Sequence, residues 1–193
     1  MTDPIRVEMR GAIAVWTIDR QDRSNSLSRD TLFSFGKLAR ESVHNANIRA
    51  IVITGAGDKA FCAGADLKER QGMSENDVRK QVELYRSELG PLDRSPVPVV
   101  AAINGVAFGG GLELALVCDL RVGAAHCKLG LPETSLGIIP GAGGTQRLPR
   151  VVGEARAKEM ILLARPIDAQ AALAWGLLNR VTEAGKSVVD DAV

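Results

Sequence analysis

The chain has 193 residues, 46% of them apolar, enough to bury one sizeable core, and a single α/β domain is the default expectation. A formal net charge of +1 leaves no strongly basic surface for non-specific nucleic-acid binding and no acidic tail. Cys62, Cys118 and Cys127 form no CxxC pair, which argues against a zinc site or disulfide framework and for a reducing compartment, the cytoplasm.

Met1 to Met9 mixes acidic and basic residues without an apolar stretch, so it does not read as a secretory signal. No apolar run approaches the roughly 20 residues of a membrane span. A short strand near Ile5 to Met9 precedes a buried one, Ala12-Ile-Ala-Val-Trp-Thr-Ile18. After a polar connection from Asp19 to Asn25, Ser28 is placed to cap a helix running to about Asn45. Its buried stripe is Leu32, Phe35, Leu38, Ala39 and Val43. Ala50-Ile-Val-Ile-Thr54 is the compact apolar run of a buried parallel strand. A Gly-rich loop, Gly55 to Asp66, follows, and then a charged, mobile-looking stretch around Leu67 to Met73.

Ser74 caps a second amphipathic helix that ends near Gly90-Pro91. Pro96 to Ile103 reads as a strand, and Pro98 argues that its beginning is not central in a sheet. Asn104 to Gly111 is a second Gly-rich loop feeding a short apolar helix, Leu112 to Cys118, in which Cys118 is a small buried hydrophobe. Short strands follow at Leu120 to Val122 and Lys128 to Leu131, then a third Gly-rich segment, Gly137 to Gly144. Helices are expected near Thr145–Arg150 and Glu154–Ala164, and Asp168 caps a last one that stops at Gly176. Strands alternating with helices indicate α/β with parallel pairing, and sites in such folds form at the carboxyl ends of strands. The loops at 55–66 and 104–111 both follow predicted strands.

Phe108-Gly-Gly-Gly-Leu-Glu113 carries three glycines into a helix. Unpaired N–H groups there, at the positive end of the helix dipole, can stabilise an oxyanion by about 2.7–4 kcal/mol per donor. A tight turn for close helix–strand packing explains the same glycines. Glu113 has only apolar neighbours, so its carboxylate faces solvent or is paired or protonated, and in the latter cases it is a catalytic candidate. Glu133 is a lone acid after Leu129-Gly-Leu-Pro, readable also as an N-terminal helix charge. Two isolated carboxylates beside Gly-rich turns suggest an acid/base pair, although their separation of 20 residues fixes no distance in space.

Phe61-Cys-Ala-Gly-Ala-Asp66 offers a second N–H donor at Ala65, or is an ordinary strand–helix loop. Gly55-Ala-Gly57 lacks the third glycine of a dinucleotide fingerprint. No GxSxG elbow accompanies His44 or His126, and neither histidine has a ligand-like partner for a metal. Lys59, Lys68 and Arg70 either reach the phosphates of a nucleotide-like ligand or are solvated surface charge.

Three segments together closely resemble the crotonase, or enoyl-CoA hydratase/isomerase, superfamily: Lys59 to Lys68, Ala102 to Leu116 and Pro132 to Leu148. The likeness runs from the strand at Ala12 to a strand near Val181. It implies a spiral of ββα units, with residues 1–193 forming a single crotonase-like core domain without the family's C-terminal helices. It also implies an acyl-CoA substrate, no metal and no cofactor apart from the coenzyme A of the substrate, and a homotrimer or dimer of trimers.

By position, the N–H groups of Ala65 and Gly110 would form the oxyanion hole. Glu113 would take a proton from the water that adds to C3, Glu133 would deliver one to C2, and the N–H of Gly141 would help to hold the water. Ala63, Asp66, Leu67, Lys68 and Arg70 are the expected substrate or CoA contacts. The presence of both acids implies a lyase adding water reversibly to an enoyl-CoA, since the isomerase branch keeps only the acid matching Glu133. Leu131 stands where many short-chain hydratases carry Gln.

Phe61 to Arg70 and Gly109 to Leu116 look most like the methylglutaconyl-CoA hydratases of leucine catabolism, whose extra substrate carboxylate Arg70 or Lys68 would meet. A short-chain hydratase of fatty-acid oxidation and an inactive CoA-binding relative are the alternatives. One hydratase branch binds AU-rich RNA through a basic helix. Here Arg29, Lys37 and Arg40, beside Asp30 and Glu41, would give only a weak, steeply salt-dependent interaction.

Overall fold

The computed structural model describes residues 3–193, so Met1 and Thr2 of the segment read as lacking a signal lie outside the described residues. The elements run β1 (Ile5–Arg10), β2 (Ile13–Ile18), α1 (Arg29–Ser42), β3 (Ala50–Gly55), β4 (Ala60–Cys62), α2 (Leu67–Arg70), α3 (Glu75–Asp93), β5 (Val99–Ile103), β6 (Val106–Phe108) and α4 (Gly110–Val117). They continue with β7 (Leu120–Ala124), β8 (Lys128–Gly130), a 3-10 turn at Pro132–Leu136, α5 (Gly144–Val152), α6 (Glu154–Leu163), β9 (Ile167–Asp168), α7 (Ala169–Ala174), β10 (Arg180–Thr182) and α8 (Val188–Ala192).

Two sheets result. The larger has the order β1-β2-β3-β5-β7-β10 and the smaller β4-β6-β8-β9. Within them, β1–β2 and β8–β9 are antiparallel and every other pairing is parallel. Each pass of the chain leaves one strand in the large sheet and the next in the small one (β3 then β4, β5 then β6, β7 then β8), with a helix or helical turn closing the pass. This is the ββα spiral that the sequence resemblance implied.

Residue alternation sets which side of the large sheet each side chain covers. Ile51, Ile53, Val99 and Ala101 point into the main core with Trp16, Phe35 and Phe61. Val15, Val52, Val100 and Val122 point the other way, into a smaller cluster closed by Val188 of α8. The Ser28 hydroxyl caps α1 by accepting from the N–H of Thr31 at 3.2 Å, and Leu32, Phe35 and Ala39 are buried as expected. Val43 is not, at 50% exposure, because α1 stops at Ser42 and the chain turns outward before the stripe is complete. A capping box at Ser74 and Asp77 starts α3, which continues through Pro91 to Asp93. Asp66 caps α2, so part of the stretch read as mobile is helical.

The larger departure is that the two Gly-rich loops are not loops throughout. Each contains a strand of three residues, β4 in one and β6 in the other, and these build the second sheet. Asn104 ties the two passes together: its Nδ2 donates to the carbonyls of Gly55 (2.8 Å) and Gly57 (2.7 Å), while its Oδ1 accepts from the N–H of Gly55 (3.1 Å). Both polar groups of its side chain are satisfied in a buried position, which makes it a specifying contact.

Candidate active site

The site lies at the carboxyl ends of β4, β6 and β8, one sheet further along than the strands from which it was anticipated. Cys62 of β4 is registered with Ala107 of β6, and Ala65 and Gly110 each lie three residues beyond that pair. Parallel pairing therefore delivers the two peptides side by side. The Leu27 N–H donates to the Gly64 carbonyl at 2.7 Å, and the Asp66 N–H donates to the Leu27 carbonyl at 3.2 Å, fixing the chain on both sides of Ala65. Gly110 opens α4, where the first N–H groups of a helix lack internal acceptors. No described residue accepts a hydrogen bond from the N–H of Ala65 or of Gly110.

The flanking glycines have separate reasons. Gly109 sits at φ +52°, and a Cβ there would come within 3.0 Å of Glu133 Oε1. At Gly111 a Cβ would run into the carbonyl of Cys62, so α4 rests directly on β4.

Glu113 projects from the first turn of α4 and is only 3% exposed. Its Oε1 accepts from the N–H of Ala142 and from that of Gly144, each at 2.8 Å. Burial pushes its pKa up, while those two N–H donors, Arg147 and Arg70 oppose the rise. Glu133 sits at the start of the 3-10 turn at Pro132–Leu136, and its Oε2 is buried without a hydrogen-bond partner among the described residues. Burial pushes its carboxyl up to about 7, with a further contribution from the negative charge of Glu113. One acid is thus held by donors that favour its ionised form; the other is left in surroundings that favour its protonated form.

Both carboxyls face one cavity of about 330 Å³. Of the residues anticipated from sequence, Ala63, Ala65, Leu67, Arg70, Gly110, Glu113, Glu133 and Gly141 line it. Asp66 and Lys68 do not; they face a neighbouring groove on the outer side of the same segment. There Asp66 accepts from the N–H groups of Lys68 (3.1 Å) and Glu69 (3.3 Å) and pairs with Arg20 at 2.8 Å. Asp66 shapes the loop from behind.

Sequence reasoning missed the donors to Glu113, Ala142 and Gly144. It also missed the apolar wall that α3 supplies through Val78, Val82 and Tyr85. The period of α3 was a usable signal for that wall; a main-chain donor has none. Leu131 is buried behind Gly144, giving the Glu113 side of the site an apolar backing.

His126 Nε2 lies 3.0 Å from the carbonyl of Asp58 and 3.1 Å from that of Asn104, a structural tie between turns. Among the described residues no three His, Cys, Asp or Glu side chains cluster as metal ligands would. Cys62, Cys118 and Cys127 are buried and unbridged, and burial pushes each thiol up to about 12.

Residues 8–193 match the family described as enoyl-CoA hydratase/isomerase. The chain belongs to that family. A crystal structure of an enoyl-CoA hydratase from Bacillus anthracis superimposes with a TM-score of 0.95 at 46% identity, covering 98% of this chain and 73% of that one. The mitochondrial methylglutaconyl-CoA hydratase of Rattus norvegicus is 48% identical over 176 residues, which are 91% of this chain and 56% of the relative. The short-chain-enoyl-CoA hydratase of Clostridium acetobutylicum is 42% identical over 177 residues, covering 92% and 68%. This member of the hydratase/isomerase family therefore spans little more than half the length of the methylglutaconyl-CoA hydratase that it matches.

Proposed function

We propose that the chain carries the active site of an enoyl-CoA hydratase, a lyase that adds water reversibly across the C2=C3 bond of a CoA thioester. One observation carries this reading: two carboxyls in opposite electrostatic settings share a cavity with two main-chain N–H groups that have no internal acceptor. The thioester oxygen accepts from Ala65 and Gly110. Ionised Glu113 removes a proton from water as the oxygen bonds to C3, and the N–H of Gly141 helps to hold that water. The π electrons move toward C2 and the thioester oxygen, and the charge there is stabilised by the two N–H groups. Protonated Glu133 then supplies the proton to C2. No cofactor beyond the coenzyme A of the substrate takes part.

Arg70 is the one Lys or Arg side chain among the described residues that lines the cavity, and Gln81 holds it through a 2.7 Å bond from Arg70 Nε. A fixed guanidinium as the one cationic side chain of the pocket suits an acyl group with a second carboxylate, as in methylglutaconyl-CoA of leucine breakdown. Lys68 faces the adjoining groove, where Arg20 and Arg23 are offset by Asp19, Asp30, Asp66 and Glu69, so its contact with the phosphates of coenzyme A rests on the family resemblance. Residues 1–193 are read as one core domain because both sheets contribute to the same main core. A trimer or dimer of trimers and a cytoplasmic location complete the reading; among the described residues no helix is long and apolar enough to cross a membrane. RNA binding is not favoured, since Arg40 pairs with Glu88 at 2.8 Å and Lys37 lies 3.9 Å from Glu41.

The test is a panel of enoyl-CoA thioesters, including methylglutaconyl-CoA, followed by loss of enoyl absorbance. Glu113→Gln and Glu133→Gln are each expected to lower kcat by about 10²–10⁴, and Arg70→Gln to lower kcat/KM more for the dicarboxylic substrate than for a monocarboxylic enoyl-CoA. Turnover unchanged by both glutamate substitutions would remove the assigned roles. Calorimetric binding of acyl-CoA without any turnover would mark an inactive relative.

A further inference from the structure

The contacts that hold Glu113 extend outside the cavity. Its two N–H donors belong to the turn from Ala142 to Gly144, which opens α5. The carbonyl of Ala142 points the other way and accepts from Arg147 Nη1 at 3.2 Å. Arg147 Nη2 meets Asp93 Oδ2, at the end of α3, also at 3.2 Å. Gly143, at φ +108°, has no Cβ where the guanidinium lies; a side chain there would collide with it. The arginine is 27% exposed in a cleft separate from the active-site cavity, and that cleft shares Tyr85 and Ala142 with the cavity as common wall.

We propose that Arg147, braced by Asp93, is a positioning residue for Glu113: it draws the Ala142 carbonyl outward so that the two neighbouring N–H groups converge on one carboxylate oxygen. Its consequence for catalysis rests on the hydratase reading above. The device has two physical parts. A charge-assisted bond to the carbonyl fixes the peptide planes of the turn. The guanidinium also adds positive potential behind the carboxylate, alongside the N-terminal dipole of α5.

Other charged or titratable groups face the same carboxyl: Arg70 from α2, Tyr85 from α3 and Glu133 from the 3-10 turn. Arg86 from α3, Arg94 just beyond its end and Arg150 from α5 line the outer cleft around Arg147. Arg70 and Glu133 lie on the substrate side, so substitutions in the outer cleft separate the influence of Arg147 from theirs.

The experiment follows the Glu113 carboxyl by carbon-13 NMR in the unliganded full chain, the signal being assigned by its loss in Glu113→Gln. Arg147→Gln is expected to move the titration to higher pH. Asp93→Asn removes the counter-charge and is expected to move it to lower pH. In the hydration assay, Arg147→Gln is expected to carry the acid limb of the rate profile upward and to lower kcat about tenfold to a hundredfold with KM little changed. Arg147→Lys, which keeps the charge without the fork, should recover the titration more fully than the rate. A folded Arg147→Gln protein whose Glu113 titrates as in the parent overturns the proposal. If Arg147→Gln does not fold, an unshifted titration in Asp93→Asn together with an unchanged kcat in Arg147→Lys does so. Should the parent chain hydrate no thioester, the functional reading fails, but the titration still decides whether Arg147 governs Glu113.

Discussion

Glu113 and Glu133 are chemically the same side chain, and their difference comes from what touches them. Glu113 has two N–H donors on Oε1, whereas Glu133 has a buried Oε2 with no partner. In the proposed reaction Glu133 must be protonated, and its carboxyl lies at about 7. Hydration is therefore expected to decline as pH rises through about 7, with the acid limb set by protonation of Glu113. The measured limbs belong to the pair as a whole, because the two carboxyls interact.

The same shift has a stability consequence. The carboxyl rises from 4.5 to about 7 on folding, so its contribution is fully present below 4.5 and is lost as pH climbs toward 7. Urea unfolding should find Glu133→Gln more stable than the parent at pH 8 by roughly 1–2 kcal/mol after allowance for solvent access, and equal to it near pH 4. Equal stability at both pH values would contradict the burial argument. Glu113 was legible in the sequence because an acid flanked only by Leu, Ala and Val stands out. Its Ala142 and Gly144 donors were not, because a backbone amide carries no sign of its direction in the residue name.

At the scale of elements, the helices were legible and the short strands were not. Ser28, Ser74 and Asp168 each cap the helix anticipated from them, since a hydroxyl or carboxylate followed by apolar periodicity is a local signal. β4 and β6 have three residues each, too few for a period to show, and glycine surrounds them. They are strands because the preceding large-sheet strands deliver them side by side and Asn104 clamps the turns between. Asn104→Ala removes that clamp and leaves the carbonyls of Gly55 and Gly57 short of a donor. A loss of about 2–3 kcal/mol is expected in urea, with faster hydrogen exchange in β4 and β6 and reduced hydration activity. Unchanged exchange there would show that strand pairing alone suffices. α8 escaped notice for the same reason of length: five residues, of which Val188 is buried while Asp190 and Asp191 pair with Arg10 and Arg180.

Taken whole, the molecule is asymmetric about its large sheet. One side carries the main core and the other only the valine-rich cluster beneath α8. Val188→Gln should lower stability by roughly 1–3 kcal/mol and raise hydrogen exchange on the α8 side while the main core stays protected. Uniform loss of protection would mean that the two sides unfold as a single unit. Leu136 and Ile139, which line the cavity, are 62% and 69% exposed, and in the proposed function this apolar rim would receive the acyl chain.

The registered strands β4 and β6 have one last implication. Because Ala65 and Gly110 follow a paired Cys62 and Ala107 by the same number of residues, main-chain pairing of β4 with β6 brings their amides to the same end of the small sheet. A placement built from main chain is indifferent to most side-chain replacements nearby. On the proposed reading, the acids of the site could be exchanged, retuned or deleted without disturbing the amides that would hold the carbonyl. Selection on this scaffold would then be free to redirect protons without rebuilding the place where negative charge would gather.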